Sequence, residues 1–247
     1  MNIASSAPVA LVTGGSRGIG AAISRRLAAD GFSVAINYAG RHEEAEALTA
    51  ELMAKGGQAI ALQADVANPQ AVQSLFNAIE AHFGGIDVVV NSAGVLELAA
   101  LAESEDALFD RLIAINLKGA FNVLRESARR VRDGGRIVTL STSVVGFKLE
   151  RYGVYAASKA AVETMSAILS KELRGRGITV NAVAPGPTAT SLFLEGKSTE
   201  LIDRLAKMSP LERLGTPDDI AAAVAFLAGT DGGWINGQVL RANGGAV

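Results

Sequence analysis

Val9-Ala-Leu-Val-Thr13-Gly-Gly-Ser-Arg-Gly18-Ile-Gly20 is the stretch on which the fold turns. Its first five residues form an apolar, β-branched run, which reads as a strand buried on both faces. From Gly18 to Asp30 the period changes, and Ile19, Ile23 and Leu27 recur at helical spacing on one face. Glycines 14, 18 and 20 fall where the strand must turn sharply into the helix. Such a turn lets backbone amides approach a diphosphate lying at the positive helix N-terminus. The spacing G-x-x-x-G-x-G is a variant of the general dinucleotide fingerprint. Ser16, Arg17 and Ile19, which sit inside the turn, join the three glycines as candidate cofactor contacts.

The same alternation continues outward along the chain. Strands are expected over Ser33 to Asn37, Ala59 to Gln63, Ile86 to Asn91, Arg136 to Leu140, Thr179 to Ala182 and Gln238 to Arg241. Helices are expected over Glu43 to Lys55, Pro69 to Phe83, Ala107 to Val131, Tyr152 to Arg174, Thr199 to Lys207 and Pro217 to Leu227. Strands alternating with helices of this length imply right-handed crossovers and a parallel sheet covered on both faces. The fold class is therefore α/β, a doubly wound seven-stranded parallel sheet. No Pro/Gly/Ser-rich linker, charge block or repeat divides residues 1–247, so one domain is expected. Pro185 to Gly215 is the least regular stretch and reads as a lid over a site.

Composition narrows the function. Of 247 residues 49% are hydrophobic and 19% charged, with a net charge of −2, so a large core is available and no basic excess suits nucleic acid or an anionic membrane. Apolar stretches such as Ile220 to Ala228 are too short to span a bilayer, and Met1 to Pro8 shows no secretory pattern. A cytoplasmic protein is expected. There is no cysteine, and the two histidines, His42 and His82, sit in polar helical stretches. That leaves no thiolate nucleophile, no zinc site and no histidine acid, so no metal is expected and any proton must come from another group.

Two further regions carry chemistry. Where an acid would read a 2′-hydroxyl at the end of the second strand, the chain has Asn37-Tyr38-Ala39, with Arg41 close behind and Arg17 in the glycine turn. No acid repels a 2′-phosphate and two arginines can grip it, so NADP is expected over NAD. Asp65-Val66, after the third strand, is a candidate for the adenine edge. Asn91-Ser-Ala93-Gly94 closes the fourth strand, at the end where a doubly wound fold binds its ligand. Tyr155 and Lys159, four residues apart, share one helix face. A free phenol titrates at about 10, too high for efficient acid–base work near neutrality, and an adjacent ammonium lowers that value.

Taken in order, Thr13-Gly-x-x-x-Gly18-Ile-Gly20, Asp65, Asn91-Ser-Ala-Gly94, Asn116 in Asn-Leu-Lys-Gly, Ser141-Thr-Ser143, Tyr155-x-x-x-Lys159 and Pro185-Gly186 with Thr188 and Thr190 resemble the short-chain dehydrogenase/reductase family over essentially the whole chain. Within it the sequence is similar to 3-oxoacyl-carrier-protein reductase-like proteins and NADP-dependent aldehyde or ketone reductases. The resemblance implies that Tyr155 donates a proton to a carbonyl oxygen, and that Lys159 holds the nicotinamide ribose and lowers the tyrosine pKa. It implies that Asn116 anchors a water in the proton relay, and that Thr188 and Thr190 fix the carboxamide and phosphates. A hydroxyl of the 141–143 cluster would orient the substrate. Counting from Arg136 the family's serine falls on Thr142, and counting from Ser-x-x-Gly it falls on Ser143. The expectation rests on Ser143, with Ser141 second and Thr142 kept open. Trp234-Ile-Asn-Gly-Gln238 and Asn243-Gly-Gly245 also resemble the family and imply a homotetramer or homodimer.

The substrate is expected to be a small carbonyl compound. Ser191-Leu-Phe-Leu194 offers either an apolar lid or ordinary core, and Lys148, Glu150 and Arg151 either meet a polar substrate or face solvent. A competing reading on the same fold is a non-catalytic NADP(H)-binding sensor or scaffold protein.

Overall fold

Seven strands lie side by side in one parallel sheet, in the order β3-β2-β1-β4-β5-β6-β7. They are β1 (Val9–Thr13), β2 (Ser33–Tyr38), β3 (Ala59–Gln63), β4 (Ile86–Asn91), β5 (Val131–Leu140), β6 (Thr179–Pro185) and β7 (Val239–Ala242). The structure is a computed structural model describing residues 7–247. The stretch read for a secretory signal therefore lies, from Met1 to Ser6, outside the described residues, as does the Leu192 side chain. Among the described residues no helix is long and apolar enough to cross a membrane.

The strands other than the edge strand β7 feed two cores, because successive side chains leave opposite faces of the sheet. Ala10 and Val12 of β1 pack with α1 (Gly18–Ala29), α2 (His42–Ala54) and α10 (Pro217–Ala228). Val9 and Leu11 pack on the other side with α3 (Pro69–Phe83), α5 (Ala120–Arg130) and α7 (Gly153–Glu172). This double burial explains why the strands read as unbroken apolar runs. Local signals fix the helix starts. Asn68 accepts from the amides of Gln70 and Ala71 ahead of Pro69, and Thr216 and Asp219 form a reciprocal capping box around Pro217.

The expected helix over Ala107 to Val131 is interrupted. It consists of α4 (Asp106–Leu112), a π-helical segment over Ile113–Gly119, and α5. At the segment's end, a Cβ on Gly119 would stand 2.7 Å from the Val66 side chain, so only glycine lets helix and sheet meet there. The chain then leaves the helix earlier than expected. Val131 already pairs with Ile86, and after a register shift Arg136 pairs with Val88. Three short helices complete the fold: α6 (Val144–Phe147), α8 (Ser191–Leu194) and α9 (Thr199–Ala206).

Candidate active site

Strand order reverses between β1 and β4, and a crevice opens beyond their carboxyl ends, the place where an open α/β sheet binds ligands. Thr13 at the end of β1 holds it in shape. Its hydroxyl donates to Asn91 Oδ1 at 3.0 Å and accepts from the amides of Ser92 and Ala93, each at 3.1 Å. The cleft has a volume of about 510 Å³ and brings together nearly all of the expected site residues.

One half of the cleft is the β1–α1 turn. Gly14 and Gly18 have φ of +60° and +53°, which a side chain would strain. A Cβ on Gly20 would sit 2.1 Å from the Gly14 carbonyl oxygen, and one on Gly14 2.9 Å from Ala93 Cα. The turn is thus a bare-backbone cradle at a helix N-terminus, with Ser16, Arg17 and Ile19 on its rim, and it fits a dinucleotide diphosphate. Beyond it, Asn37 lines the cleft but spends its amide on the carbonyl oxygens of Leu62 and Ala64, at 3.3 and 3.0 Å. It braces β2 against β3 and does not reach outward. The Tyr38 hydroxyl meets His42 Nδ1 at 2.7 Å. Arg17 is exposed and forms no ion pair among the described residues, whereas Arg41 pairs with Glu44 at 2.7 Å. That exposed pair is cheap to exchange for a phosphate. Asp65 accepts from the Ala67 amide at 2.9 Å and shapes the turn around buried Val66.

The other half carries Tyr155 and Lys159, one turn apart on α7. Lys159 is buried and donates to the Leu140 carbonyl oxygen at 2.9 Å. A Cβ on Gly94 would come 3.3 Å from Lys159 Nζ and 3.2 Å from Asn116 Oδ1, so the glycine makes room for both. Asn116 lies in the π segment, a geometry often found at functional sites. Its side chain clamps Val95, accepting from the amide and donating to the carbonyl, both at 2.9 Å. The amide also reaches Ser158 Oγ at 3.4 Å, and that hydroxyl donates to the Tyr155 carbonyl at 2.7 Å. The side chain is therefore committed to the protein, and any water held at this position would be held elsewhere on the residue. On the far wall, Thr188 donates to the Gly186 carbonyl at 2.9 Å, and Thr190 accepts from the Phe193 amide at 3.2 Å, with Pro185 beside them.

The hydroxyl cluster requires a correction. Ser143 does not face the tyrosine. It is 1% exposed, donates to the Ala184 carbonyl at 3.0 Å and accepts from Asn243 Nδ2 at 3.0 Å. Asn243 also donates to the Val247 carbonyl at 3.1 Å, so the Asn243-Gly-Gly245 motif ties the chain's end to the loop after β5. Ser141 donates to Glu163 Oε1 at 2.5 Å. Of the three hydroxyls it is that of Thr142, which accepts from the Val144 amide at 3.3 Å, that lies near enough to the Tyr155 phenol to oppose the rise in its pKa. All three residues line the cleft, but the hydroxyls of 141 and 143 are spent on Glu163 and Ala184, and the residue that the count from the strand reaches, Thr142, is the one whose hydroxyl acts on the phenol. Thr142→Val is accordingly expected to lower kcat about 100-fold, the low end for loss of a positioned proton-handling group. Ser143→Ala should leave kcat within about twofold and cost about 1 kcal/mol of stability. Steady-state kinetics and thermal melts of both variants check this, and the reverse pattern would restore Ser143.

Burial sets the electrostatics. Tyr155 is closely surrounded by protein, although its edge stays open to the cleft, and burial pushes its phenol up to about 12 against the opposing Thr142 hydrogen bond. Burial also pulls the Lys159 ammonium down to about 8. The depression of the phenol expected from the neighbouring ammonium is thus not found: burial dominates, and the opposing influence comes from Thr142. Keeping Lys159 charged costs stability. Below about pH 8 the group is protonated in folded and unfolded chains alike, and the cost is fully present. As pH rises from about 8 towards 10.5, only the folded chain has lost the proton and the cost fades. Lys159→Met should therefore make the cofactor-free protein more stable at pH 7 by about 2 kcal/mol, with the gain shrinking by pH 10. Denaturant titrations at the two pH values check it, and a variant less stable than its parent at pH 7 would refute it.

Comparison with known proteins shows the family. A family model described as enoyl-(acyl carrier protein) reductase matches residues 14–247. A short-chain type dehydrogenase/reductase of Picea abies is 47% identical, over 97% of this chain and 92% of that protein. The chain is a member of the short-chain dehydrogenase/reductase family. An NADPH-dependent aldehyde reductase-like chloroplastic protein of Arabidopsis thaliana is 44% identical over 97% of this chain and 94% of its own. Among solved structures, a short-chain dehydrogenase from Burkholderia cenocepacia in complex with NADP superposes with a TM-score of 0.92 at 40% identity, covering 97% of both chains. Several residues of this family member's site were not singled out in the sequence. Ser158 acts through a hydrogen bond from Asn116 on a distant segment, and Phe147, Leu149 and Met208 line the cleft from loops and short helices without periodicity.

Proposed function

We propose that this chain is an NADP-dependent oxidoreductase that moves hydride between NADP(H) and a carbonyl or secondary alcohol, acting on an aldehyde, a ketone or a 3-oxoacyl thioester. The observation that carries the reading is the presence of the Tyr155 phenol and the Thr142 hydroxyl in one cleft, with buried Lys159 one turn behind. Two hydroxyl groups aimed at one region can both hydrogen-bond a carbonyl oxygen. The phenol then supplies its proton as negative charge builds there. The Gly14–Gly20 turn would hold the dinucleotide, which would supply the hydride when bound. Lys159 would neutralise the phenolate left behind and hold the nicotinamide ribose, while Gly94 leaves it space. Asn116 would shape the floor by clamping Val95, and Thr188 and Thr190 would align the carboxamide side.

Preference for NADP is supported by Arg17 and Arg41 at the ribose end, by the absence of an acid at the end of β2, and by the NADP and NADPH named for its relatives. The same reading makes the enzyme a cytoplasmic homotetramer or homodimer. Exposed Phe109, Phe121 and Ile168 on α4, α5 and α7, and Phe226, Trp234 and Val239 around the β7 edge, support association. No nucleic acid or membrane takes part in it.

The test follows absorbance at the reduced-nicotinamide band with NADPH or NADH and a panel of aldehydes, ketones, 3-oxoacyl thioesters and an enoyl thioester. Consumption of NADPH in preference to NADH with a carbonyl substrate is expected. Turnover of the enoyl thioester alone, or tight NADPH binding without turnover, would overturn the reading.

A further inference from the structure

The cleft is electrically divided. Four charged side chains line it, and none belongs to the outer substrate half. Arg17, Arg41 and Asp65 stand along the cofactor groove, and Lys159 lies behind Tyr155. Apart from these charges, the large side chains of the lining include Leu96, Phe147, Leu149, Tyr152, Phe193 and Met208, with the Tyr152 ring 6.3 Å from that of Tyr155.

The nearby charges are all turned elsewhere. Lys148, Glu150 and Arg151 are exposed and lie outside the cleft lining. Glu97, next to Leu96, is paired with Arg111 at 2.7 Å. Lys197 stands 4.6 Å from the Phe193 ring centroid and donates to the Phe193 carbonyl oxygen.

The loop is also built to present an apolar residue. Lys148 and Arg151 are two of three non-glycine residues with positive φ among the described residues, at +56° and +68°. Side chains resist that conformation, so it persists only where the surroundings hold it. Here the Lys148 amide donates to the Val144 carbonyl at 2.8 Å, and the Arg151 carbonyl accepts from the Ala99 amide at 3.1 Å. Between these two left-handed residues, Leu149 enters the cleft while its charged neighbours stay in solvent.

From this, and resting on the carbonyl-reductase reading, we propose that the enzyme is specific for neutral, apolar or aromatic carbonyl compounds, and that Leu149 is a specificity-determining residue that excludes substrates carrying a carboxylate near the carbonyl. A carboxylate brought against this wall loses its hydration and finds no cation to replace it, the Tyr152 hydroxyl being the one polar group among these six side chains. A neutral ring or alkyl chain gains by burial at the same surface.

The test uses ester and free-acid pairs of one skeleton: an aryl α-keto ester and its acid, an acylbenzoate ester and its acid, and a formylbenzoate ester and its acid. For the native enzyme, kcat/KM for the ester is expected to exceed that for the acid by about 100-fold in pairs where the ester turns over. Esters and acids differ in intrinsic reactivity, so the deciding quantity is the change in that ratio on substitution. Leu149→Lys should lower the ratio at least tenfold, mainly by lowering KM for the acid, while Leu149→Met leaves it unchanged. NADPH affinity, read by fluorescence, should be the same in all three proteins.

An acid reduced as well as its ester by the native enzyme, or a ratio that Leu149→Lys does not move, overturns the proposal while leaving the reductase reading intact. NADPH binding with no reduction of any pair or of the wider carbonyl panel overturns that reading, and this proposal with it.

Discussion

Tyr155→Phe is expected to lower kcat about 10³-fold, the middle of the range for losing a general acid, while NADPH affinity stays within about threefold. The ring and its burial are kept and only the hydroxyl goes, so the substrate oxygen loses its proton source. The pH dependence has a definite sign. Reduction needs the protonated phenol, and burial holds that proton up to about 12 in the chain without cofactor. Reduction should therefore persist through neutral and mildly alkaline pH and fall only as the phenol ionises. Alcohol oxidation, which needs the phenolate, should rise with pH over the same range. Stopped-flow single-turnover rates for native and variant proteins separate chemistry from cofactor release. A variant with undiminished single-turnover rate would remove Tyr155 from the chemistry.

Gly20→Ala should be as damaging by a different route. The new methyl carbon would stand 2.1 Å from the Gly14 carbonyl oxygen, 2.9 Å from the Gly14 carbonyl carbon and 3.0 Å from Gly15 Cα, all backbone atoms. No side chain can rotate away, so the turn itself must open, and Gly14 is already tight against Ala93 across the crevice. The NADPH dissociation constant should increase about 100-fold, about 2.8 kcal/mol at the affinity scale of 1.4 kcal/mol per decade. The melting temperature should fall as well, since α1 packs on the sheet through Ile23 and Leu27. Gly31→Ala is the control. That glycine has nothing within 4 Å of a Cβ and lies away from the cleft lining, so any loss there comes from its φ of +91° alone and should spare cofactor binding. NADPH titrations giving native affinity for Gly20→Ala would show that the turn tolerates opening.

What could be read in the sequence is what depends on local pattern. The β1–α1 turn, the seven strands and the Tyr155–Lys159 pair each declare themselves within a few residues, because burial on both faces, helix period and glycine spacing are local signals. What could not be read depends on one-residue phase or on distant partners. Whether 142 or 143 faces the tyrosine is decided by how the chain leaves β5, and Asn243, a hundred positions away, claims Ser143. Asn37 has the composition of a ribose reader, yet β3 takes its amide. The apolar wall is assembled from the 95–96 segment, the loop around Leu149 and the stretch after β6, so no window of sequence contains it.

The π segment at Ile113–Gly119 has a consequence for how this region tolerates change. Its hydrogen-bonded rings enclose one residue more than those of an α-helix. At about 100° per residue, that surplus residue turns the downstream faces relative to the upstream ones, and a single helical wheel drawn through α4 and α5 misassigns one of them. Insertions and deletions are therefore asymmetric here. Excising one residue from the segment would give a more regular helix and a worse protein, since either Asn116 would swing off Val95 or Val123 and Leu124 would leave the core. Any effort to regularise this scaffold should count the surplus residue as part of the active site.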